Sequence, residues 1–309
     1  MRALVLGGRG AVGSVVGAEL GALGHDVVPT GRSVGIRGLR IDLRTPPGLR
    51  TLASAAADHD VVVNASGIED VAIRQACEAI PFVDMSASGD YLDRLADLPV
   101  PTATVLGAGL APGLTTVLVA ALDHRPGDSV DVAILLGSGE THGAAAVAWT
   151  AGLAGRALYA APEPSPVVNF RERRRFDAGS GPCTYLRADF PDHVLVGHPG
   201  GISVRSYLAL GDRLSTIGLG IVGRLPRLRP LLDRAPHLGD DRWSVVVANR
   251  RAGQQISAVG RGQSTTTGRL VARAAIAAAT SSSLGPVTMA DVMDADDLRS
   301  VPGVRIDLG

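Results

Sequence analysis

The chain has 309 residues, room for two domains, and 46% of them are apolar, enough to bury a sizeable core. Lys+Arg and Asp+Glu number 30 each and only 3% of residues are aromatic. A balanced charge without stacking residues argues against nucleic-acid partners and against attraction to an anionic membrane surface. Cys77 and Cys183 make neither a disulfide framework nor a metal site, so a reducing cytoplasmic setting is expected. Met1 leads straight into a strand without the charged-then-apolar plan of a signal peptide. No uncharged apolar run reaches the ~18 residues of a membrane span.

Residues 3–6 read as a short apolar strand. Gly8-x-Gly10-x-x-Gly13 follows, and the helix expected over residues 12–23 follows that. A strand, a glycine turn and a helix in this order form the context that dinucleotide binding needs. Gly8 suits the tight turn, Gly10 a close approach to pyrophosphate, and Gly13 close packing of the helix on its strand. Arg9, Ala11 and Val12 complete the loop, and the helix N-terminus faces phosphate charge. A second strand over residues 26–29 ends in Thr30-Gly31-Arg32-Ser33. NAD sites usually carry a carboxylate at this point, bonded to the ribose 2′-hydroxyl. A guanidinium and a hydroxyl instead suit a 2′-phosphate, so NADP(H) is the expected cofactor.

Further strands are expected over 39–41, 61–64, 82–84 and 103–106, with helices over 48–57, 70–78 and 91–96. The alternation predicts a Rossmann-type parallel sheet with helices on both faces. Ligands in such sheets lie outside the carboxyl ends of the strands. That rule selects Asp42, the segment Asn64-Ala65-Ser66-Gly67, Asp84 and Ser86 as further contacts. The Asn64–Gly67 segment is open to two readings, room for ribose and nicotinamide or an ordinary turn before the Asp70 cap. Asp84 reads either as a substrate or cofactor ligand or as a buried carboxylate bonded to amides. Tyr91 reads either as a proton donor or as a buried aromatic.

From about residue 124 the pattern changes. Strands are expected over 130–136, 167–169, 194–196, 203–208, 244–249 and 255–259, with helices over 144–153 and 214–220. This predicts a second α+β domain, residues 124–268, with a mostly antiparallel sheet. Residues 224–236 read as a surface excursion, and Arg171 to Arg175 as a solvated face or subunit contact. A helix over 269–279 opens the closing segment, 269–309.

The proton donor is sought in Gly137-Ser138-Gly139-Glu140-Thr141-His142-Gly143, between a strand and a helix. His142 titrates near neutrality and Glu140 or Thr141 suits orienting it. The alternative is a helix cap with Glu140 beside the positive helix end. No patterned metal ligands, phosphate-binding lysine loop or serine elbow is present, so no metal is expected.

Four segments together resemble the saccharopine dehydrogenase-like NADP-binding family. They are the glycine run, Val83-Asp84-Met85-Ser86 with Asp90-Tyr91, Gly107-Ala108-Gly109-Leu110-Ala111-Pro112-Gly113-Leu114, and the closing helix with Gly285-Pro286-Val287. The resemblance covers the first domain and the last 40 or so residues. It implies a pyridine-nucleotide oxidoreductase, often homodimeric, whose last helix returns to the first domain. The expected activity is NADPH-dependent reduction of a small imine or carbonyl compound. Reduction of an activated C=C bond, oxidation of an amino-acid-type substrate, and a non-catalytic NADP sensor are the alternatives.

Overall fold

The computed structural model describes residues 1–33, 38–137, 139, 144–178, 181–234 and 240–309. The chain divides into two compact units. One holds residues 1–114 and 267–294, the other 115–266 and 295–309.

The first unit contains β1 (Arg2–Leu6), α1 (Ala11–Ala22), β2 (Asp26–Gly31), β3 (Leu39–Arg40) and α2 (Pro46–Ala56). It continues through β4 (Val61–Asn64), α3 (Val71–Gln75), β5 (Phe82–Asp84), α4 (Gly89–Ala96) and β6 (Ala103–Val105). Its sheet runs β13-β6-β5-β4-β1-β2-β3, where β13 is Gly285–Val287, and every pair is parallel. Strand β4, Val-Val-Val-Asn, is buried at every position, as a parallel strand covered on both faces must be. Leu4, Leu6, Val62 and Phe82 join Ile41, Leu52 and Ile73 in one core cluster. Helix starts follow side-chain chemistry. Thr45 Oγ1 accepts from Gly48 N at the start of α2, which has Pro at its first turn, and Asp70 caps α3 through Ala72 N. Helix α9 (Gln263–Thr280) belongs to this unit from Thr267 onward. Gly268 meets α1 so closely that a Cβ there would stand 2.6 Å from Val15 Cβ.

The second unit contains α5 (Thr115–Ala120), β7 (Ser129–Leu136), α6 (Ala144–Leu153), β8 (Arg173–Asp177) and β9 (Pro182–Arg187). The one-turn α7 (His198–Gly200), β10 (Ser203–Leu210), α8 (Arg213–Arg224), β11 (Arg242–Asn249) and β12 (Gln255–Arg261) follow. Helix α10 (Ala295–Arg299) and β14 (Arg305–Asp307) close it. The sheet order is β14-β12-β11-β7-β10-β9-β8. Only β7 and β10 pair in parallel, so the sheet is mostly antiparallel, as expected.

Four segments depart from the sequence reading. Residues 194–196 form a helical turn, not a strand, with Val194 N and Leu195 N both donating to Pro191 O at 2.9 Å. A short apolar run is ambiguous between the two, and in this one Val194 and Leu195 are buried while Val196 is half-buried. Residues 167–169 supply one isolated bridge, Ala157 with Val168. The β8–β9 hairpin was not expected, because arginines occupy β8 where apolar alternation would announce a strand. The closing segment also divides. Arg305–Asp307 pairs antiparallel with β12, so residues 295–309 join the second unit and not the first.

Candidate functional site

Strand β1 ends at Leu6, and Gly7 turns the chain with φ +70°. Gly10 N donates back to Gly7 O at 2.9 Å. A Cβ at Gly7 would stand 2.5 Å from Ala65 O, and one at Gly8 2.7 Å from Pro29 Cβ. One at Gly13 would run into the Gly7 carbonyl oxygen. At Gly10 the sole neighbour within 4 Å is that same oxygen, at 3.2 Å. The fold itself therefore requires Gly7, Gly8 and Gly13, whereas at Gly10 a Cβ would press on that one backbone oxygen alone. Gly10 is also the N-cap of α1 and offers no side chain to cap it. The first-turn N–H groups at Ala11, Val12 and Gly13 lack intrahelical partners and carry the positive end of the helix dipole. Gly7 was missed by the sequence reading, although its spacing, Gly7-x-x-Gly10-x-x-Gly13, was legible.

The end of β2 lies beside this loop. Thr30 is buried, pairs with Leu6 and Leu39, and accepts Gly8 N on its carbonyl at 3.1 Å. Its contribution is thus a backbone one. Gly31 ends the strand, and Arg32 and Ser33 are exposed beyond it. Arg9 Nη1 donates to Ser33 O at 3.3 Å and ties the glycine loop to this segment. Asp42 is exposed. Its carboxylate accepts Arg44 N and its carbonyl accepts Thr45 Oγ1, so it shapes the turn into α2.

Behind the loop, Asn64 and Asp84 end neighbouring strands and meet side by side. Asn64 Nδ2 donates to Asp84 Oδ2 at 2.8 Å and to Ile68 O at 3.2 Å. Asn64 Oδ1 accepts Ser66 Oγ at 2.6 Å, and Ser66 Oγ in turn accepts Ile68 N. Gly67 completes the turn with φ +69°. Ala65 N donates to Leu6 O at 3.0 Å, which presses this turn against Gly7. Ser86 N donates to Asp84 Oδ1 at 2.8 Å, and the Tyr91 hydroxyl donates to Asp84 Oδ2 at 3.0 Å. Both Asp84 and Tyr91 are fully buried. Burial raises the Asp84 carboxyl above the usual range, against the pull of its Ser86, Asn64 and Tyr91 donors. Burial and the Asp84 charge together push the Tyr91 phenol far upward. These two residues were candidates for the chemistry. In the structure the Tyr91 hydroxyl is bonded to Asp84, and the Asp84 carboxyl accepts from Asn64, Ser86 and Tyr91. Glu69 lies near them, its carboxyl raised by partial burial despite a bond with Ser88.

The Gly107–Leu114 segment returns to the same place. Ala108 N donates to Asp84 O at 2.6 Å. Gly113 holds φ +120°, and a Cβ there would stand 2.7 Å from Met289 Sδ. Glu140, Thr141 and His142 lie outside the described residues, as does Ser138.

The second unit holds a buried polar group that the sequence did not single out. Asp192 accepts Thr115 Oγ1 at 2.5 Å and Ser206 Oγ at 3.1 Å, and burial raises its carboxyl. Arg187, fully buried, donates to Ser206 O and reaches Glu163 at 3.3 Å. Burial works to raise the Glu163 carboxyl, but Arg187 and Arg205 outweigh it and hold the group low. His193 sits between Phe190 O at 3.0 Å and Tyr159 O at 2.5 Å, and burial lowers its ring. These contacts pin β9, β10 and the turn after Pro191, which is a structural use. Among the described residues no cluster of three or more His, Cys, Asp or Glu forms a metal site. No helix among them is long and apolar enough to cross a membrane.

The fold is that of a Rossmann-type unit joined to an α+β unit. No family model matches the chain, and no curated protein matches it in sequence. Among solved structures it is similar to a substituted meso-DAP dehydrogenase from Clostridium tetani E88, solved with DAP. That match has a TM-score of 0.51 and 12% identity, and covers 96% of this chain and 95% of that one. A probable aspartate-semialdehyde dehydrogenase from Pseudomonas aeruginosa matches at TM-score 0.36 and 13% identity, over 81% of this chain and 74% of that one. A 3-alpha-hydroxysteroid dehydrogenase from Pseudomonas sp. B-0831, complexed with NADH, matches at TM-score 0.24 and 19% identity. There the match covers 28% of this chain and 48% of that chain, so this chain spans under half the length of that neighbour. The full-length match supports the two-unit fold.

Proposed function

We propose that the chain is a saccharopine dehydrogenase-like, NADPH-dependent oxidoreductase that reduces a small imine or carbonyl compound. One observation carries the dinucleotide reading. Gly10 stands without a side chain at an uncapped helix N-terminus, and the neighbouring β4 turn and β2 end close around the same loop. A pyrophosphate fits such a cradle because backbone N–H groups and the helix dipole both favour negative charge. Exposed Arg32 and Ser33, with Arg9 tied to the latter, favour a 2′-phosphate, and no carboxylate stands at the strand end to oppose it.

When bound, a reduced nicotinamide supplies the hydride. In this reading Ala11, Val12 and Gly13 amides hold the pyrophosphate. Arg9, Arg32 and Ser33 hold the 2′-phosphate. Asn64–Gly67 and Ser86 line the far side, with Asn64 and Asp84 fixing the shape of that wall. Asp84 and Tyr91 act as positioning residues. The proton reaches the product nitrogen or oxygen from His142, oriented by Glu140. The full-length likeness to a DAP dehydrogenase fold is compatible with a nitrogen-bearing substrate.

The test follows loss of NADPH absorbance across a panel of cyclic imines and ketoacid–amine pairs. Turnover of at least one imine or carbonyl, lowered about 10²–10⁴-fold by His142→Ala with NADPH affinity kept, is the expected result. No turnover anywhere in the panel, with NADPH still bound, favours the sensor reading instead. Size-exclusion chromatography with light scattering checks the accompanying proposal of a homodimer.

A further inference from the structure

We propose that the second unit carries a binding site for a small organic anion with an apolar body. The site is a cavity of about 480 Å³ lined by residues of β7, β8, β9, β10 and α8. That volume falls within the roughly 300–1,000 Å³ typical of small-molecule sites.

The strand register builds the floor. Arg173 pairs with Leu186 and Arg175 with Thr184, so these four side chains share one face of the sheet. Helix α8 packs near that face. Gly220 faces that side of the sheet, since a Cβ there would be in ordinary contact with Leu186 Cδ1 at 3.5 Å and 3.7 Å from Arg173 Nη2. The Arg173 guanidinium thus reaches α8, while the residue as a whole stays exposed to solvent and open to a ligand. Arg213, the first residue of α8, adds a third guanidinium from another element.

Counter-charges decide the chemistry. Arg174 lies between Arg173 and Arg175 but on the opposite face, where Asp131 pairs with it at 3.0 Å. Among the described residues none of Arg173, Arg175 or Arg213 makes an ion pair. The single acid in the cavity wall, Asp212, is the N-cap of α8 and accepts Ser215 N at 2.8 Å. Three guanidinium groups against one carboxylate, beside a positive helix end, select an anion. Leu135, Leu186, Leu210 and Ile217 supply the apolar remainder of the wall, and Ile217 is 42% exposed. The ligand is thus a carboxylate or phosphate monoester with a hydrocarbon portion. In sequence this arginine run reads as a solvated face or a subunit contact. The pleat divides it into one paired arginine and two that face the cavity.

The test is isothermal titration of the full chain with phenyl phosphate, benzoate and neutral benzyl alcohol. Saturable binding of at least one of the two anions, with none of the alcohol, is expected. The two anion arms tell a phosphate site from a carboxylate site. Arg173→Ala/Arg175→Ala lowers the affinity roughly ten-fold or more, and Arg213→Ala also weakens it. Arg171→Ala, at an exposed position outside the cavity wall, leaves it near wild type. Three results overturn the proposal. One is no saturable anion binding. Another is anion binding unchanged in the double variant, which would put the anion at the glycine loop or elsewhere. The third is an equal loss in Arg171→Ala, which would reduce the effect to net charge. None of these results speaks against the dinucleotide site, so the two readings fail separately.

Discussion

The Tyr91 hydroxyl donates to Asp84 Oδ2 at 3.0 Å, and no part of either residue reaches solvent. Together with Asn64 and Ser86, the pair locks the ends of β4 and β5 into one rigid wall. Tyr91→Phe removes one donor from a buried carboxylate and is expected to cost about 1–3 kcal/mol of folding stability. If Tyr91 were instead the proton donor, the same variant would lose turnover and keep its stability. Urea denaturation beside steady-state kinetics separates the two.

Burial raises the Asp84 carboxyl in the folded state, so the unfolded chain gives up that proton at lower pH. The Asp84 contribution to stability is therefore greatest below the unfolded carboxylate value of about 4 and declines as pH rises through the raised folded value. Asp84→Asn is expected to flatten that part of the pH–stability curve. It also lowers stability overall, because its amide NH₂ opposes the donors from Asn64 or Ser86. Denaturation midpoints across pH 4–8, a range set by that value, check both effects. An unchanged slope would show that Asp84 does not titrate in this window.

The glycines of the first loop are expected to separate by role. Gly13→Ala drives a methyl group into the Gly7 carbonyl and lowers apo stability. Gly10→Ala presses on one backbone oxygen at 3.2 Å, which a shift of a few tenths of an ångström relieves, and lowers the apo melting temperature less than Gly13→Ala does. It loses the thermal stabilisation that NADPH gives by mass action, because the methyl group fills the space a pyrophosphate needs. Paired apo and NADPH melts of the two variants read this directly.

Arg74 is fully buried, and its donors go to neutral acceptors. Nε donates to Thr104 Oγ1 at 2.8 Å, Nη1 to Cys77 O at 2.7 Å and Nη2 to Thr102 Oγ1 at 2.8 Å, while the guanidinium lies over Phe82. Burial lowers it to about 10, so it stays charged at neutral pH. It ties α3 to β6. Arg74→Met leaves these acceptors without donors and is expected to cost about 2–3 kcal/mol. Measured midpoints within a few tenths of a kcal/mol of wild type would show that water replaces the guanidinium.

The first unit was largely legible in the sequence because parallel strands buried on both faces are short continuous apolar runs. Residues 61–64 and 82–84 were read with the bounds the structure gives them. The glycine loop was legible because turn, strand and helix signals coincide there. Asp84 and Tyr91 were legible as positions but not as a pair, since a turn separates them in the chain and only the packing of α4 on β5 brings them into contact. The β8–β9 hairpin was hidden because Arg173 and Arg175 face a cavity where an ordinary strand carries apolar residues. The turn at Val194 was hidden because a buried helical turn and a buried strand share the same apolar run.

Arg32 and Ser33 set the expected preference between the two nicotinamide cofactors. A charge-assisted contact to a 2′-phosphate contributes about 1.5–3 kcal/mol, so Arg32→Ala weakens NADPH more than NADH by roughly ten-fold or more. Arg9→Ala adds to the loss by freeing the segment at Ser33.

The most direct test of the dinucleotide site is calorimetric titration of the wild-type chain with NADPH and with NADH. One-to-one binding of NADPH, at least ten-fold tighter than NADH and abolished by Gly10→Ala, is the predicted result. Equal affinity for the two would contradict the assignment of Arg32 and Ser33. Failure to bind either would contradict the site itself.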